Sequence, residues 1–205
     1  MGLDVLWRNK TARLMEKTNA TMRARTCLDL ACGTGDMALA VYRHVPAATI
    51  VAVDPALEML RLFRQKSKTA QRIHIVAGAD ELPFRHGVFQ FITCAFGVRN
   101  FISLEKNIRQ LYALLVPGGR LVTLEFFRPD NGFTRIFFKL YSSTALMIIG
   151  FVLNRKLAPY HYLCRSIVRF HTAAEYGALL QKCDYRVVTV KPLFVGLACL
   201  IVAEK

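Results

Sequence analysis

The sequence predicts an α/β fold with a mostly parallel, seven-stranded sheet, helices on both faces and a C-terminal β-hairpin. Short β-branched runs alternate with segments of helical periodicity along most of the chain. The chain has 205 residues and 54% hydrophobic content, which suits one domain with a sizeable core. No repeat, linker or low-complexity tract divides it, so we expect a single domain over residues 1–205.

The elements follow in chain order. A basic lead-in helix is predicted over about Asn9 to Met22. The next segments are strand TCLDLA, helix DMALAVYRHV, strand TIVAVD, helix PALEMLRLFRQKSK and strand RIHIVAGA. They are followed by strand FQFITCAF, helix SLEKNIRQLYALL, turn VPGG and strand RLVTLEFF. A helix around TAAEYGALLQKC then leads to two consecutive strands, YRVVTV and LACLIVAEK, which predict the hairpin. Ligands of open α/β sheets bind beyond the carboxyl ends of the strands, so the loops ACGTGD, DPALE, GADELPF, FGVRN and EFFRP are the candidate site.

The charge of the chain favours an anionic partner. The formal net charge is +14, and no Asp or Glu occurs from Asn131 to Ala174. This stretch contains an apolar run, Leu140 to Leu153, that is shorter than the roughly 20 residues needed to cross a bilayer as a helix. A basic and apolar insertion at about 131–171 fits a membrane interface, and a buried helix with cationic ends fits it equally well.

The cysteines, the first ten residues and the histidines limit the kinds of site and the cellular compartment that the sequence fits. The six cysteines form no CxxC pair and lie mostly in apolar runs, which is typical of buried thiols in a reducing compartment. The start, MGLDVLWRNK, lacks the features of a secretion signal or a myristoylation signal, so we expect neither export nor lipidation. The histidines lack ligand spacing and form no triad with Ser or Cys, so we predict no metal and no covalent nucleophile.

The glycine turn after the first strand is the clearest candidate ligand site. The segment Gly33-Thr34-Gly35 with Ala38 fits GxGxxA, and Asp54 ends the second strand, which together would suit a dinucleotide. Pyrophosphate would lie at the start of the following helix, where Asp36 stands, with Asp29 on the preceding strand. These two carboxylates disfavour an anion and favour a ligand with an ammonium and a sulfonium, such as S-adenosylmethionine. An ordinary first-turn role for Asp36 leaves the dinucleotide alternative open.

Several segments, in the order LDLACGTGD, VAVDPALEML, ELPF, FQFITCAFGVRN, LVPGGRLVTLEFFRP and YHYLCRSIVRF, resemble the ubiquinone/menaquinone biosynthesis C-methyltransferases. The glycine turn is common to all class I methyltransferases, whereas FGVRNF, PGGR, LEFFRP and YHYLCRSIVRF are much more specific. The resemblance runs from about Gly2 to the C-terminus. It implies a Rossmann-like class I methyltransferase that uses S-adenosylmethionine to methylate a ring carbon of a polyprenyl quinol.

The resemblance also implies site residues. Those that would hold the methionine, ribose and adenine parts of the cofactor, or lie beneath it, are Asp29, Gly33, Thr34, Gly35, Asp54, Gly78, Ala79, Asp80 and Ala95. Those that would line the quinol pocket are Phe96, Tyr141, Tyr160 and Tyr162, although aromatic residues in an apolar helix more often serve packing. Arg99 and Asn100 are the candidate catalytic residues. A fixed charge on Arg99 would stabilise a forming phenolate, and Asn100 would orient the hydroxyl or a water.

Some residues depart from the family pattern. Cys32 stands where glycine is frequent, Gly78 where Asn or Asp is, Gln90 where Asp is, and His171 where proline is. The family's helical segment before GLDVLWR has no counterpart in the sequence, so we expect closure of the substrate pocket to differ most. The alternatives for Arg99 and Asn100 are a surface salt bridge and a helix N-cap.

The expected partners are a polyprenyl quinol and an anionic membrane surface, with the protein cytoplasmic and peripheral at the inner membrane face. A homodimer is left open, as is the choice between a benzoquinol and a naphthoquinol. One rival is an RNA methyltransferase of the same fold, but no NPPY-type tetrapeptide or aromatic and basic stacking run supports a nucleic-acid partner. The other rival is a catalytically silent protein that binds quinone or membrane.

Overall fold

The computed structural model describes residues 2–18, 26–67, 72–75, 78, 82–136, 138–140 and 158–205, with backbone alone at 16–18, 72–75 and 158–160. The helices are α1 (Leu3–Thr18), α2 (Asp36–His44), α3 (Leu57–Lys66), α4 (Leu104–Leu114), α5 (Ala158–Arg169) and α6 (Ala173–Lys182). The strands are β1 (Thr26–Leu30), β2 (Thr49–Val53), β3 (Arg72–Ile75), β4 (Phe89–Ala95), β5 (Leu115–Phe126), β6 (Arg186–Leu193) and β7 (Ala198–Glu204). Short helical stretches also occur at Val98–Asn100, at Phe194–Gly196 and at 132–136 with 138–140.

The seven strands form one sheet in the order β3-β2-β1-β4-β5-β7-β6. The first five strands are parallel, and β7 pairs antiparallel with both β5 and β6. The predicted fold class and the C-terminal hairpin are therefore confirmed. The chain winds outward in one direction from β1 and in the other from β4. The topological switch point, where ligands bind in such sheets, thus lies between the carboxyl ends of β1 and β4.

Helices cover both faces of the sheet, which explains why the parallel strands are almost continuously apolar. One face packs Leu28 and Leu30 of β1 against Ile108 of α4 and Tyr176 of α6. The other face packs side chains from α1, α2 and α3, such as the fully buried ring of Phe63. All six cysteines are free and five of them are buried, as the sequence predicts.

Two elements differ from their predicted bounds. Helix α1 begins at Leu3 rather than Asn9, because Trp7 in its early turns packs its ring against rings from three distant parts of the chain. Strand β5 begins at Leu115 and runs through the predicted VPGG turn. There the backbone of Lys205 accepts from Gly118 N–H at 3.0 Å and donates to Gly119 O at 2.9 Å, which lengthens the ladder with the C-terminus.

Candidate functional site

The glycine turn after β1 leaves open space on one side and is tightly packed on the other. Gly33 and Gly35 both have positive φ, 54° and 80°. A Cβ at Gly35 would lie 2.0 Å from the ring of Phe63, so this position requires glycine for packing as well as for its backbone. A Cβ at Gly33 would meet nothing within 4 Å. The turn therefore exposes its backbone at Gly33 to an approaching ligand.

Asp29 fixes this turn from below. Its buried carboxylate accepts a hydrogen bond from Ala38 N–H in the first turn of α2 at 3.0 Å and one from the Thr93 hydroxyl at 2.8 Å. Burial raises the pKa of Asp29 to about 6, opposed by the hydrogen bond from Thr93 and the charge of Arg8. Asp29 thus ties β1 to α2 and β4, and adds negative charge beneath the turn above its pKa.

Asp54 joins the glycine turn to the end of β2. Its Oδ2 accepts from Gly33 N–H at 2.9 Å and its Oδ1 from Ala56 N–H at 2.8 Å, and the residue is 7% exposed. A carboxylate offers about four acceptor positions, so two remain for a diol. The predicted methionine and ribose contacts are therefore adjacent through a direct hydrogen bond.

The charge at the start of α2 is less negative than the sequence indicates. Lys66, in the last turn of α3, donates to Asp36 Oδ1 at 2.9 Å and to the Thr34 hydroxyl at 2.8 Å. Thr34 in turn donates to Asp36 Oδ2 at 3.0 Å. Hydrogen bonds from Lys66 and Thr34 lower the pKa of Asp36, although partial burial opposes them. Lys66 therefore neutralises Asp36, one of the two carboxylates expected to disfavour an anion at the turn. The negative charge there rests on Asp29 and Asp54.

The other half of the site is the end of β4. Ala95 is the last residue of β4, and Phe96 follows it with a positive φ of 61°. A Cβ at Gly97 would lie 2.6 Å from that of Ala31, which follows β1. The two loops that flank the switch point are thus in close contact. The positive φ of Phe96 is a strained backbone conformation, and such strain concentrates at functional sites.

Arg99 is held in a buried ion pair rather than in the surface salt bridge considered from the sequence. It pairs through Nη1 with Glu125 at the end of β5, and the two side chains are 9% and 0% exposed. Burial raises the pKa of Glu125, and the charge of Arg99 opposes this. Arg99 Nε also donates to Ser166 Oγ at 3.3 Å. A guanidinium has five N–H donors, so three are left for a ligand, with the charge shared with Glu125.

Asn100 lies beside a predicted substrate residue. Its Oδ1 accepts a hydrogen bond from the Tyr162 hydroxyl of α5 at 2.9 Å. Tyr162 and Arg99 both line a cavity of about 460 Å³ between the β4 loop and α5. The other residues that line this cavity are Arg165, Ser166, Arg169 and Phe170. The structure thus places Arg99 and Tyr162 at one opening, and Asn100 is joined to it through the hydrogen bond with Tyr162.

Some of the predicted site residues lie outside the described part of the chain. They are Ala79, Asp80, Tyr141 and the side chain of Tyr160. Gly78 is half-buried, and a Cβ there would meet no described atom within 4 Å. Phe96 is described, and its ring packs against Trp7 and Phe126, with centroids 6.5 and 5.0 Å away.

Sequence reasoning missed three residues that shape the site: Arg8, Lys66 and Glu125. Glu125 carried a signal, because it is an acid inside the apolar strand run LVTLEFF. Lys66 and Arg8 carried none, since their partners lie far away in the sequence. Gln90, in place of the usual aspartate, accepts from Thr26 N–H at 2.6 Å and so ties the start of β1 to β4.

The described part of the chain offers neither a cluster of metal ligands nor a helix that could span a membrane. No three His, Cys, Asp or Glu side chains in it come together closely enough to hold a metal ion. Likewise, none of the helices that can be described combines the length and apolar character needed to cross a membrane.

Known proteins resemble this chain over its whole length. It is 34% identical over 207 residues to a demethylmenaquinone methyltransferase of Thermus thermophilus, covering 100% of this chain and 91% of the relative. It is 30% identical to a ubiquinone/menaquinone biosynthesis C-methyltransferase of Rickettsia typhi, covering 100% of this chain and 84% of the relative. Among solved structures, the CurJ carbon methyltransferase matches with a TM-score of 0.72 at 15% identity, over 96% of this chain and 53% of that one. The model of the ubiE/COQ5 methyltransferase family matches residues 1–205, and this chain belongs to that family.

Proposed function

We propose that this protein transfers a methyl group from S-adenosylmethionine to a ring carbon of a membrane-held polyprenyl quinol in respiratory quinone biosynthesis. As a member of the ubiE/COQ5 methyltransferase family, it is an S-adenosylmethionine-dependent methyltransferase. The names of its relatives include both menaquinone and ubiquinone, so the ring is a naphthoquinol or a benzoquinol.

The relative position of the glycine turn and the cavity beside Arg99 is the main support for this proposal. The glycine turn with Asp54 and the cavity beside Arg99 lie on the two sides of one switch point, joined by the contact between the loops after β1 and β4. A donor held on the first side would face an acceptor held on the second. An in-line methyl transfer needs this alignment above all, and positioning supplies about 7 to 11 kcal/mol in favourable cases.

The residues present fit the cofactor. Gly33 offers open space for close backbone approach, and Asp54 has acceptor positions for a ribose diol. Asp29 provides negative charge beneath the turn, which suits a ligand that carries a sulfonium and an ammonium. When bound, the cofactor supplies an electrophilic methyl group. We assign its methionine part to the Gly33–Gly35 turn, its ribose to Asp54, its adenine to the segment at Gly78, Ala79 and Asp80, and the floor beneath it to Ala95.

The acceptor is activated by hydrogen bonds. A quinol carbon becomes nucleophilic as its neighbouring hydroxyl loses its proton, and donors beside that oxygen stabilise the forming phenolate. Arg99 has uncommitted N–H groups for this purpose, and a guanidinium is a poor base because it keeps its proton in proteins. Asn100, held by Tyr162, orients the hydroxyl or a water that accepts the proton. Phe96 and the tyrosines Tyr141, Tyr160 and Tyr162 line the path of the ring.

We also propose that the insertion docks on the cytoplasmic face of an anionic membrane. Phe133, Ile136 and Leu140 are 71, 64 and 59% exposed, and their spacing places them on one side of the helical residues 132–136 and 138–140. Arg135 and Lys139 are exposed on the same stretch. Apolar side chains flanked by cations are typical of helices that lie in a membrane interface.

The cavity beside Arg99 extends this basic surface. Arg165 and Arg169 lie four residues apart on α5, where like charges repel, and among the described residues neither makes an ion pair or a hydrogen bond. An anionic lipid headgroup would neutralise them at the mouth of the acceptor site. A prenyl tail would then remain in the bilayer while the ring reaches Arg99.

The function is tested by incubating the purified protein with methyl-labelled S-adenosylmethionine and a membrane lipid extract. Label in a prenylated quinone is the expected result. Label confined to RNA added to the same reaction would favour the rival RNA methyltransferase. Cofactor binding with no label in any lipid would favour the rival that only binds quinone or membrane.

Docking is tested by co-sedimentation with vesicles that contain phosphatidylglycerol. Replacing Phe133 and Ile136 by serine should reduce binding at least tenfold. The matched control replaces Met59 and Leu62, which are exposed apolar residues of α3, by serine. An equal loss in both double variants would contradict the proposed surface.

A further inference from the structure

Arg8 reaches from α1 to the switch point between β1 and β4. Its guanidinium carbon lies 5.3 Å from the centroid of the Phe96 ring, directly after β4. The preceding residue, Trp7, packs against Phe96 and Phe126 and fixes this part of α1 on the sheet. Arg8 is therefore positioned at the candidate cofactor site by contacts with half-buried aromatic rings.

The side chain of Arg8 has an unused donor there. Its Nε is buried and has no hydrogen-bond partner, and Arg8 forms no ion pair with any residue in the described ranges. A buried donor without an acceptor is costly, and a native protein normally supplies one. Burial raises the pKa of Asp29 and the charge of Arg8 opposes this rise, while at Asp36 the same charge adds to the hydrogen bonds that lower the pKa. Arg8 thus lies near the glycine turn without being bonded to its carboxylates.

The methionine part of the cofactor carries a carboxylate as well as an ammonium. The carboxylates of Asp29 and Asp54 suit the cationic groups and repel this anion, and Asp36 is neutralised by Lys66. Lys66 cannot serve both roles freely, because it already donates to Asp36 and Thr34. A second cation with a free donor would balance this carboxylate, and Arg8 has such a donor in its buried Nε.

We propose that Arg8 donates a charge-assisted hydrogen bond to the α-carboxylate of the bound S-adenosylmethionine. The inference rests on the proposed function and adds α1 to the cofactor site. Arg8 would hold the amino-acid end of the ligand, and Phe96 would support its guanidinium by a cation–π contact. Nucleosides that lack this carboxylate should consequently bind weakly.

The test is calorimetric titration with S-adenosylmethionine and with its decarboxylated analogue, which keeps the sulfonium and the amine. The wild-type protein should bind S-adenosylmethionine about ten- to a hundredfold more tightly than the analogue. Arg8→Gln should lose that preference by weakening only the carboxylated ligand, and Arg8→Lys should retain part of it. Arg13→Gln, an exposed arginine of the same helix, is the control of equal charge change and should behave as wild type.

Thermal unfolding first establishes that each variant is folded. An Arg8→Gln variant that weakens both ligands equally would show a structural role and overturn the inference. A variant that binds both ligands as the wild type does would overturn it as well. Wild-type protein that binds neither ligand would instead overturn the proposed function, so the two failures are distinguishable.

Discussion

Arg99→Met should strongly destabilise the fold, because it leaves Glu125 buried without its counter-charge. The two side chains are 9% and 0% exposed. Removing one partner of a buried ion pair costs about 3 to 5 kcal/mol. For a domain of this size each kcal/mol lowers the Tm by about 2 to 4 °C, so the expected loss is roughly 6 to 20 °C.

The loss should depend on pH in one direction. Burial raises the pKa of Glu125, and removal of Arg99 takes away the charge that opposes this rise. The folded variant then binds a proton more tightly than the unfolded chain, so its stability increases as the pH falls. The deficit relative to wild type should be largest near pH 8 and smaller in mild acid.

Denaturant unfolding at several pH values measures both effects. Arg61→Met is the matched control, because Arg61 pairs with Glu58 on the surface, with side chains 62% and 75% exposed, and such pairs contribute little. The double variant Arg99→Met with Glu125→Gln should recover most of the stability, because it removes the unpaired buried charge and keeps an acceptor for the backbone N–H groups of Arg99 and Phe126. A loss in Arg99→Met no larger than in Arg61→Met would show that the Arg99–Glu125 pair does not stabilise the fold.

Further predictions concern the two loops of the site. Gly35→Ala should cost about 3 kcal/mol in denaturant unfolding because its Cβ would meet Phe63 as well as adopt a positive φ. Gly33→Ala should cost only about 1 kcal/mol, for its positive φ alone, and should weaken cofactor binding; equal losses of stability in the two variants would argue against an open face at Gly33. Asp54→Ala should lower cofactor affinity at least tenfold by calorimetry, and unchanged affinity would remove the ribose assignment. Asp29→Asn should flatten the pH dependence of stability between about pH 4 and 6. Burial raises the pKa of Asp29 from 3.8 to about 6, so the wild type loses stability as the pH rises through this window, by up to about 1.4 kcal/mol per pH unit. An unchanged slope in the variant would contradict this cause. Asn100→Ala and Tyr162→Phe should slow turnover without changing cofactor affinity, and their double variant should be no slower than Asn100→Ala; additive losses would mean that their hydrogen bond is not used.

Much of the fold follows from local patterns. The apolar runs of β1, β2 and β4 predict strands buried on both faces, and the direct succession of β6 and β7 predicts the hairpin. The glycine turn was also predictable, because two closely spaced glycines indicate positions of positive φ. The observed values are 54° at Gly33 and 80° at Gly35. These features depend on residues close together in the sequence.

Features that depend on distant residues were not predictable. The early start of α1 depends on Trp7 meeting rings of Phe96, Phe126 and Phe194. The charge at the start of α2 depends on Lys66, 30 residues beyond Asp36. The state of Arg99 depends on Glu125, 26 residues further on. In each case a tertiary contact changes the electrostatic or packing environment, and only Glu125, an acid inside an apolar strand run, carried a local signal.

The central claim is carbon methylation of a quinol ring, and the most direct measurement is the position of the transferred methyl group. Purified protein is incubated with ¹³C-methyl S-adenosylmethionine and short-chain demethylated naphthoquinol or benzoquinol, and the products are analysed by NMR. The expected result is a ¹³C methyl signal bonded to a ring carbon of one of the two quinols. A methyl group bonded to oxygen, or no transfer to either ring by protein that binds the cofactor, would contradict it.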